Sequence, residues 1–185
     1  MIADVVVVGS GPTGLMAACE LGLAGVHPIV LETRPAPSEE PKANGMLGQI
    51  IRLLDHRGPY EALAGRPGPP PPNNGYFVFT ALPLDLSLLD DSPVHVLAAP
   101  QRRVVEVLAE RARALGVEIR SGHEVIGLSQ DDDQVTLDVV GPPGADAMTA
   151  RYVMARTARA ASHRNSAASA FPASRTTAGR YAWHT

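Results

Sequence analysis

A chain of 185 residues that is 45% apolar has room for one medium-sized core and not for two large ones. Its 16 Lys and Arg stand against 19 Asp and Glu, so no overall basic field favours nucleic acid or an anionic membrane surface. Cys19 is the only cysteine, which excludes an internal disulfide and fits a reducing, cytoplasmic setting; neither a secretory leader nor a run of membrane-spanning length is expected.

The N-terminal text Asp4-Val5-Val6-Val7-Val8-Gly9-Ser10-Gly11-Pro12-Thr13-Gly14-Leu15 is the most informative part of the chain. An unbroken valine run predicts a strand buried on both faces, as in a parallel sheet flanked by helices. Gly9 allows a tight turn as the strand ends. Gly11 lacks a Cβ, so a pyrophosphate can approach the N–H groups of a helix that begins at Pro12-Thr13, where proline suits the first turn. Gly14 lets that helix press onto the strand. Leu15, Ala18, Cys19, Leu21 and Leu23 supply an apolar face before Gly25 ends the helix, and a second strand is predicted over 28–32.

Glu32 closes this second strand about twenty residues beyond the glycines, where its carboxylate can accept hydrogen bonds from both hydroxyls of an adenosine ribose. A 2′-phosphate would be repelled there, which favours FAD or NAD over NADP. Strand, glycines, helix, strand and terminal acid in register are a far more specific signal than the glycines alone. Thr33 and Arg34 follow; a cation at that position can reach the pyrophosphate or the adenine, or can lie in solvent.

Beyond the cradle, Lys42-Ala43-Asn44-Gly45 leads into apolar spacing that predicts a helix over 46–58 with a glycine stop. Pro67 and Pro69 to Pro72 make 65–75 an extended connector. Strands are predicted over 76–79 and 94–97 around a polar excursion, then a long amphipathic helix over 100–115 ending at Gly116. Further strands are expected over 117–120, over 123–130 and 134–140 across an Asp-rich turn, and over 148–153.

The cradle, the basic-Ala-x-Gly element at Lys42 to Gly45, Gln101 at the start of a long helix, and the hairpin over 125–139 together resemble the N-terminal part of the FAD-dependent aromatic hydroxylases. These are the single-component flavoprotein monooxygenases related to para-hydroxybenzoate hydroxylase, and the closer likeness is to members acting on aromatic polyketides. The resemblance covers residues 1–154. It implies an α/β fold, a Rossmann-like FAD-binding domain that is incomplete here, with 66–99 as part of an excursion toward a substrate domain.

By the same resemblance Gly9, Gly11 and Gly14 cradle the FAD pyrophosphate and Glu32 holds the ribose. Lys42 and the backbone of Asn44 and Gly45 approach the flavin ring, where a basic residue balances charge on the reduced cofactor. Gln101 and Arg102 match the helix start near the ribityl and phosphate region, although Gln101 by itself is equally a helix-start hydrogen bond. Val125 matches a strand whose backbone meets the adenine. Such enzymes use NADH or NADPH to reduce FAD and then oxygen to hydroxylate an electron-rich ring of a small aromatic substrate. The alternatives are an NAD-dependent dehydrogenase, disfavoured because no further short βαβ units follow Glu32, and a nucleotide-binding remnant without catalysis. No catalytic residue is identified, and the six histidines show no spacing that suggests a metal site.

After the strand at 148–153 the family's Gly-x-Asp-Gly element is expected, yet the text reads Met154-Ala155-Arg156-Thr157-Ala158-Arg159. Residues 155–185 contain no Leu, Ile, Val, Asp or Glu, while Arg156, Arg159, Arg164, Arg175 and Arg180 have no acids to balance them. Such a stretch has little with which to build a core and would ordinarily be read as a disordered basic tail. The sharper expectation is out-of-frame sequence: reading each codon from its third base permits Gly-Ala-Asp-Gly-Ala-Arg-Ser from codon 154 and Gly-Ile-Gly-Phe-Pro-Gly across 167–173. On that reading the sheet loses its continuation after Val153, and the truncated chain by itself hydroxylates nothing.

Overall fold

The computed structural model describes residues 2–40, 42–79, 82–90, 92–142 and 144–155 and the pair Tyr181–Ala182, with backbone alone at 76–79 and 181–182. From the N-terminus, β1 (Ala3–Val8), α1 (Pro12–Leu23) and β2 (Ile29–Glu32) follow one another. The middle of the chain forms β3 (Met46–Leu47), α2 (Ile50–Arg57), α3 (Tyr60–Ala64), β4 (Tyr76–Phe79), β5 (Leu82–Asp85) and β6 (Val96–Leu97). Next come α4 (Gln101–Ala114), β7 (Glu118–Ser121), β8 (Glu124–Gln130), β9 (Val135–Gly141), β10 (Gly144–Ala155) and β11 (Tyr181–Ala182). These elements divide into two units, Met1–Ser38 with Leu108–Thr185, and Glu39–Val107.

The first unit is built on one sheet in the order β7-β2-β1-β10-β9-β8, with β11 beside β10. Strands β7, β2, β1 and β10 run parallel, whereas β10, β9 and β8 form an antiparallel meander. The length of β10 lets it serve both halves: Ala150 pairs with Ala3 of β1 on one side and with Val135 of β9 on the other. Successive valines of β1 point to opposite faces, as a pleat requires. Val5 and Val7 join Val30, Ala18 and Cys19 of α1, and Ala112 of α4. Val6 joins Leu31, Val125, Val135, Leu137 and Val139.

Both faces of β1 are therefore buried, which is why its sequence does not alternate. Among the described residues, helices cover one of those faces. On the other, the described residues place the meander itself, as β8 returns against β2, where the sequence predicts helices. Each fully buried valine contributes about 1.5 kcal/mol or more. The exposed ion pairs Arg120–Glu118 and Arg151–Asp4 contribute about 0–1 kcal/mol each, so apolar burial decides the stability of this unit.

Turn chemistry closes the strands. Asp131 Oδ1 accepts the N–H groups of Asp133 and Gln134, both at 2.8 Å, which shapes the acidic turn between β8 and β9. Tyr181–Ala182 pairs in parallel with Val153 and Met154, so the sheet continues beyond Val153, contrary to the sequence expectation. Strand pairing needs only backbone N–H and C=O groups, and a segment poor in apolar side chains still supplies them. The rest of 156–185 lies outside the described residues, and with it the readings of that tail as disordered or out of frame.

In the second unit β3 pairs antiparallel with β6, Met46 opposite Leu97, and β4 pairs with β5 in a hairpin. The helix expected to start at Met46 begins instead at Ile50, because Met46 and Leu47 are taken into this ladder and Gly48, at φ 86°, turns the chain before the helix. It ends at Gly58, left-handed at φ 94°, as the spacing predicts. The short α3 and the strand β5 have no counterpart in the sequence reading, and the strand predicted from Val94 starts at Val96. The proline-rich connector is tied to β6 and its approach: Asn73 N–H donates to Val94 O at 2.7 Å, and His95 Nδ1 lies 3.1 Å from Pro71 O.

Candidate functional site

The turn from β1 into α1 is held by the two outer glycines in different ways. Gly9 adopts φ 103°, a conformation that side chains disfavour, and its N–H donates to Leu31 O at 2.7 Å, joining the end of β1 to β2. A Cβ at Gly14 would run into the carbonyl oxygen of Gly9, so the close approach of α1 to the strand requires glycine there. Gly11 is different. At φ −70° and ψ 172° its backbone suits any residue, and a Cβ there would meet nothing within 4 Å. The fold itself does not need glycine at that position.

Gly11 is the N-cap of α1 and brings no side chain to cap it, with Pro12 as the first helical residue and Thr13 exposed beside it. A helix start capped only by backbone is suited to an anion, since the N–H groups and the helix dipole both favour negative charge.

Glu32 lies at the end of β2, half-buried, and reaches back over this turn. Its Oε2 accepts the N–H of Ser10 at 2.8 Å and the Ser10 hydroxyl at 2.9 Å, while Oε1 accepts the N–H of Arg34 at 3.1 Å. Thr33 and Arg34 have exposed side chains. The carboxylate is thus held between the glycines, with lone-pair capacity left for further donors. Val125 lies in β8 opposite Val139, its side chain in the core and a bulge between it and Gly127.

The other candidate residues belong to the second unit. Lys42, Asn44 and Gly45 are exposed, and a Cβ on Gly45 would come within 2.8 Å of Leu97 O, so this segment lies flat against the end of β6. Ala43 O accepts the Gln101 N–H at 2.8 Å, which ties the segment to the start of α4. The Arg102 guanidinium donates through Nε to Glu106 at 3.0 Å, one turn along its own helix. Gly9, Gly11, Pro12, Thr13, Gly14, Glu32, Thr33, Arg34 and Val125 therefore share one unit, and Lys42, Asn44, Gly45, Gln101 and Arg102 share the other.

Two features beside Glu32 have no counterpart among the sequence expectations. Ser10 carries no assignment there, although a small hydroxyl residue between the glycines is the signal that a returning carboxylate can be met. The other is the turn at Gly122-His123, whose N–H groups donate to Arg34 O and Glu32 O at 3.1 and 2.9 Å. Among the described residues no group of three His, Cys, Asp or Glu side chains is placed to hold a metal ion, and no helix is long and apolar enough to cross a membrane.

Residues 2–180 match the family model described as the FAD binding domain. The chain belongs to the single-component, FAD-dependent aromatic monooxygenases. It is 42% identical over 151 residues to 12-dehydrotetracycline 5-monooxygenase/anhydrotetracycline 6-monooxygenase of Streptomyces rimosus, covering 82% of this chain and 30% of that protein. It is 41% identical to rifampicin monooxygenase of Streptomyces venezuelae, with 82% and 31% covered. The solved structure of OxyS anhydrotetracycline hydroxylase from Streptomyces rimosus superposes with a TM-score of 0.73 at 42% identity, covering 84% of this chain and 31% of that one.

The chain thus spans about a third of the length of these relatives and corresponds to their N-terminal part. Its architecture is the α/β FAD-binding fold of this family, Rossmann-like from β1 through α1 to β2. Membership sets aside the NAD-dependent dehydrogenase. The geometry of the first unit fits the family's cofactor: open space at Gly11, a bare helix start, and a carboxylate at the end of the second strand.

Proposed function

We propose that the protein to which this chain belongs hydroxylates a small aromatic, polyketide-like substrate, with FAD as cofactor and NADH or NADPH as the source of electrons. The observation that carries the cofactor site is the Glu32 carboxylate held on Ser10 between Gly9 and Gly11. The similarity to monooxygenases named for anhydrotetracycline and rifampicin supports the substrate class.

In this reading Gly11 leaves room for the pyrophosphate, the backbone at Pro12 and Thr13 faces it, and Gly9 and Gly14 hold the turn. Glu32 accepts the ribose hydroxyls, Thr33 and Arg34 flank them, and the backbone at Val125 meets the adenine. Lys42, Asn44 and Gly45 lie toward the flavin ring, with Lys42 balancing negative charge on its reduced form, and Gln101 and Arg102 hold the ribityl and phosphate region. Bound FAD supplies electron transfer and oxygen activation; the residues of this chain bind and orient it and exclude water from part of its surface.

The domain reading belongs to the same proposal: an FAD-binding domain over 1–154, with an excursion over 66–99 toward a substrate domain, followed by out-of-frame sequence over 155–185. Sequencing the coding DNA around codon 154 tests it, and absence of a restoring frame overturns it. The hydroxylase reading is tested on the full-length protein by its flavin spectrum, its oxidation of NADH and NADPH, and the mass of product formed from phenolic polyketides. A yellow protein that adds one oxygen atom to such a substrate supports it. Oxidation of NADH and NADPH no faster than with free FAD, and no product, would overturn it.

A further inference from the structure

We propose that His123 is a positioning residue for the adenosine end of the cofactor, acting through Glu32; this rests on the reading of Glu32 as the ribose acceptor. Glu32 and Ser121 are partners at the ends of the parallel strands β2 and β7. Beyond them the chain turns at Gly122, left-handed at φ 71°, and sends two N–H groups back across the strand end. Gly122 N–H donates to Arg34 O at 3.1 Å and His123 N–H to Glu32 O at 2.9 Å. The backbone that leaves Glu32 is thereby held by this turn at two points.

The imidazole of His123 holds the turn in place. Its Nδ1 lies 2.9 Å from Ser121 O, so that nitrogen carries the proton and donates. The opposite edge of the ring rests on Gly141 at the end of β9, where a Cβ would come within 2.5 Å of Cδ2 and 2.7 Å of Nε2. Only glycine leaves room for the ring there. The lock joins the end of β9 to the turn that anchors Glu32. Neither residue needs to touch the cofactor.

The experiment is FAD titration of the full chain and of His123→Ala, His123→Asn, Gly141→Ala and the double variant His123→Ala/Gly141→Ala, with the melting temperature of each cofactor-free protein. His123→Ala should weaken FAD binding about tenfold with little change in melting temperature, since the carboxylate loses its placement and not its charge. His123→Asn, whose amide can donate to Ser121 O, should stay within about threefold of wild type. Gly141→Ala should match His123→Ala, and the double variant should lose no more than either single one, because both remove one lock.

Unchanged FAD affinity in His123→Ala, or losses that add in the double variant, would overturn the proposal. So would unfolding of both His123→Ala and Gly141→Ala, since the lock would then hold the sheet and not the carboxylate. A wild-type chain that binds no FAD would overturn the cofactor reading itself, an outcome distinct from FAD binding that no variant disturbs.

Discussion

Glu32 and Ser10 are joined twice: one carboxylate oxygen accepts both the backbone N–H and the hydroxyl of Ser10, at 2.8 and 2.9 Å, across 22 residues of sequence. This pair ties the end of β2 to the turn before α1 and holds the acid beside the glycines, where the proposed function puts the ribose. Removing the acid should therefore act on ligand affinity. Glu32→Ala is expected to weaken FAD binding about tenfold or more, through loss of charge-assisted hydrogen bonds. Glu39→Ala, in an exposed loop, should leave it unchanged. Equal affinities in a parallel FAD titration would remove Glu32 from the site.

The Ser10 hydroxyl occupies acceptor capacity that a ribose hydroxyl could use. Ser10→Ala keeps the N–H bond to Glu32 and releases that capacity, so FAD affinity should be retained or rise. A loss greater than about threefold would show that the hydroxyl is needed to orient the carboxylate.

Gly11 and Gly14 should respond in opposite ways to the same substitution. Gly11→Ala meets no protein atom and has ordinary dihedral angles, so the cofactor-free protein should gain about 0.4–1 kcal/mol from a stiffer unfolded chain while losing FAD affinity. Gly14→Ala drives a methyl into the Gly9 carbonyl and should cost about 1–3 kcal/mol of stability with or without FAD. Denaturant unfolding with and without the cofactor separates the two, and similar stability changes would contradict the assignment of Gly11 to the ligand.

Cys19 is buried on α1 with its thiol directed at Leu108 O, 3.6 Å away. Burial raises the thiol above its ordinary pKa of 9.0, Arg111 opposing this and Glu20 adding to it. The unfolded chain therefore releases this proton at lower pH than the folded one, and stability from this group is present below pH 9.0 and lost as pH rises toward the raised folded value. Cys19→Ala should remove this alkaline slope, at the cost of a small cavity. Thiol labelling in the wild type should follow unfolding, and rapid labelling of the folded protein at neutral pH would contradict the burial argument.

The sequence by itself determined the local elements whose signals are short-ranged. The valine run, the three glycines, Pro12 and the acid at Glu32 specify strand, turn, helix and strand within a few residues of one another, and Gly58 and Gly116 stop their helices because each takes a left-handed turn that other residues avoid. The tertiary structure alone decided what lies beside these elements. Nothing local in Met46-Leu47 says that Val96 and Leu97 wait as partners, so helical spacing there lost to a ladder formed across the chain.

Likewise a valine strand needs both faces covered but does not say by what, and among the described residues a folded-back meander lies on the second face. The site divides in the same way. In the proposed site Gly11 and Glu32 are legible because a pyrophosphate and a ribose would require those residue types at that spacing. Ser10, Gly122, His123 and Gly141 are not, because their part depends on which strand ends meet, and long-range pairing sets that without a periodic trace in the sequence.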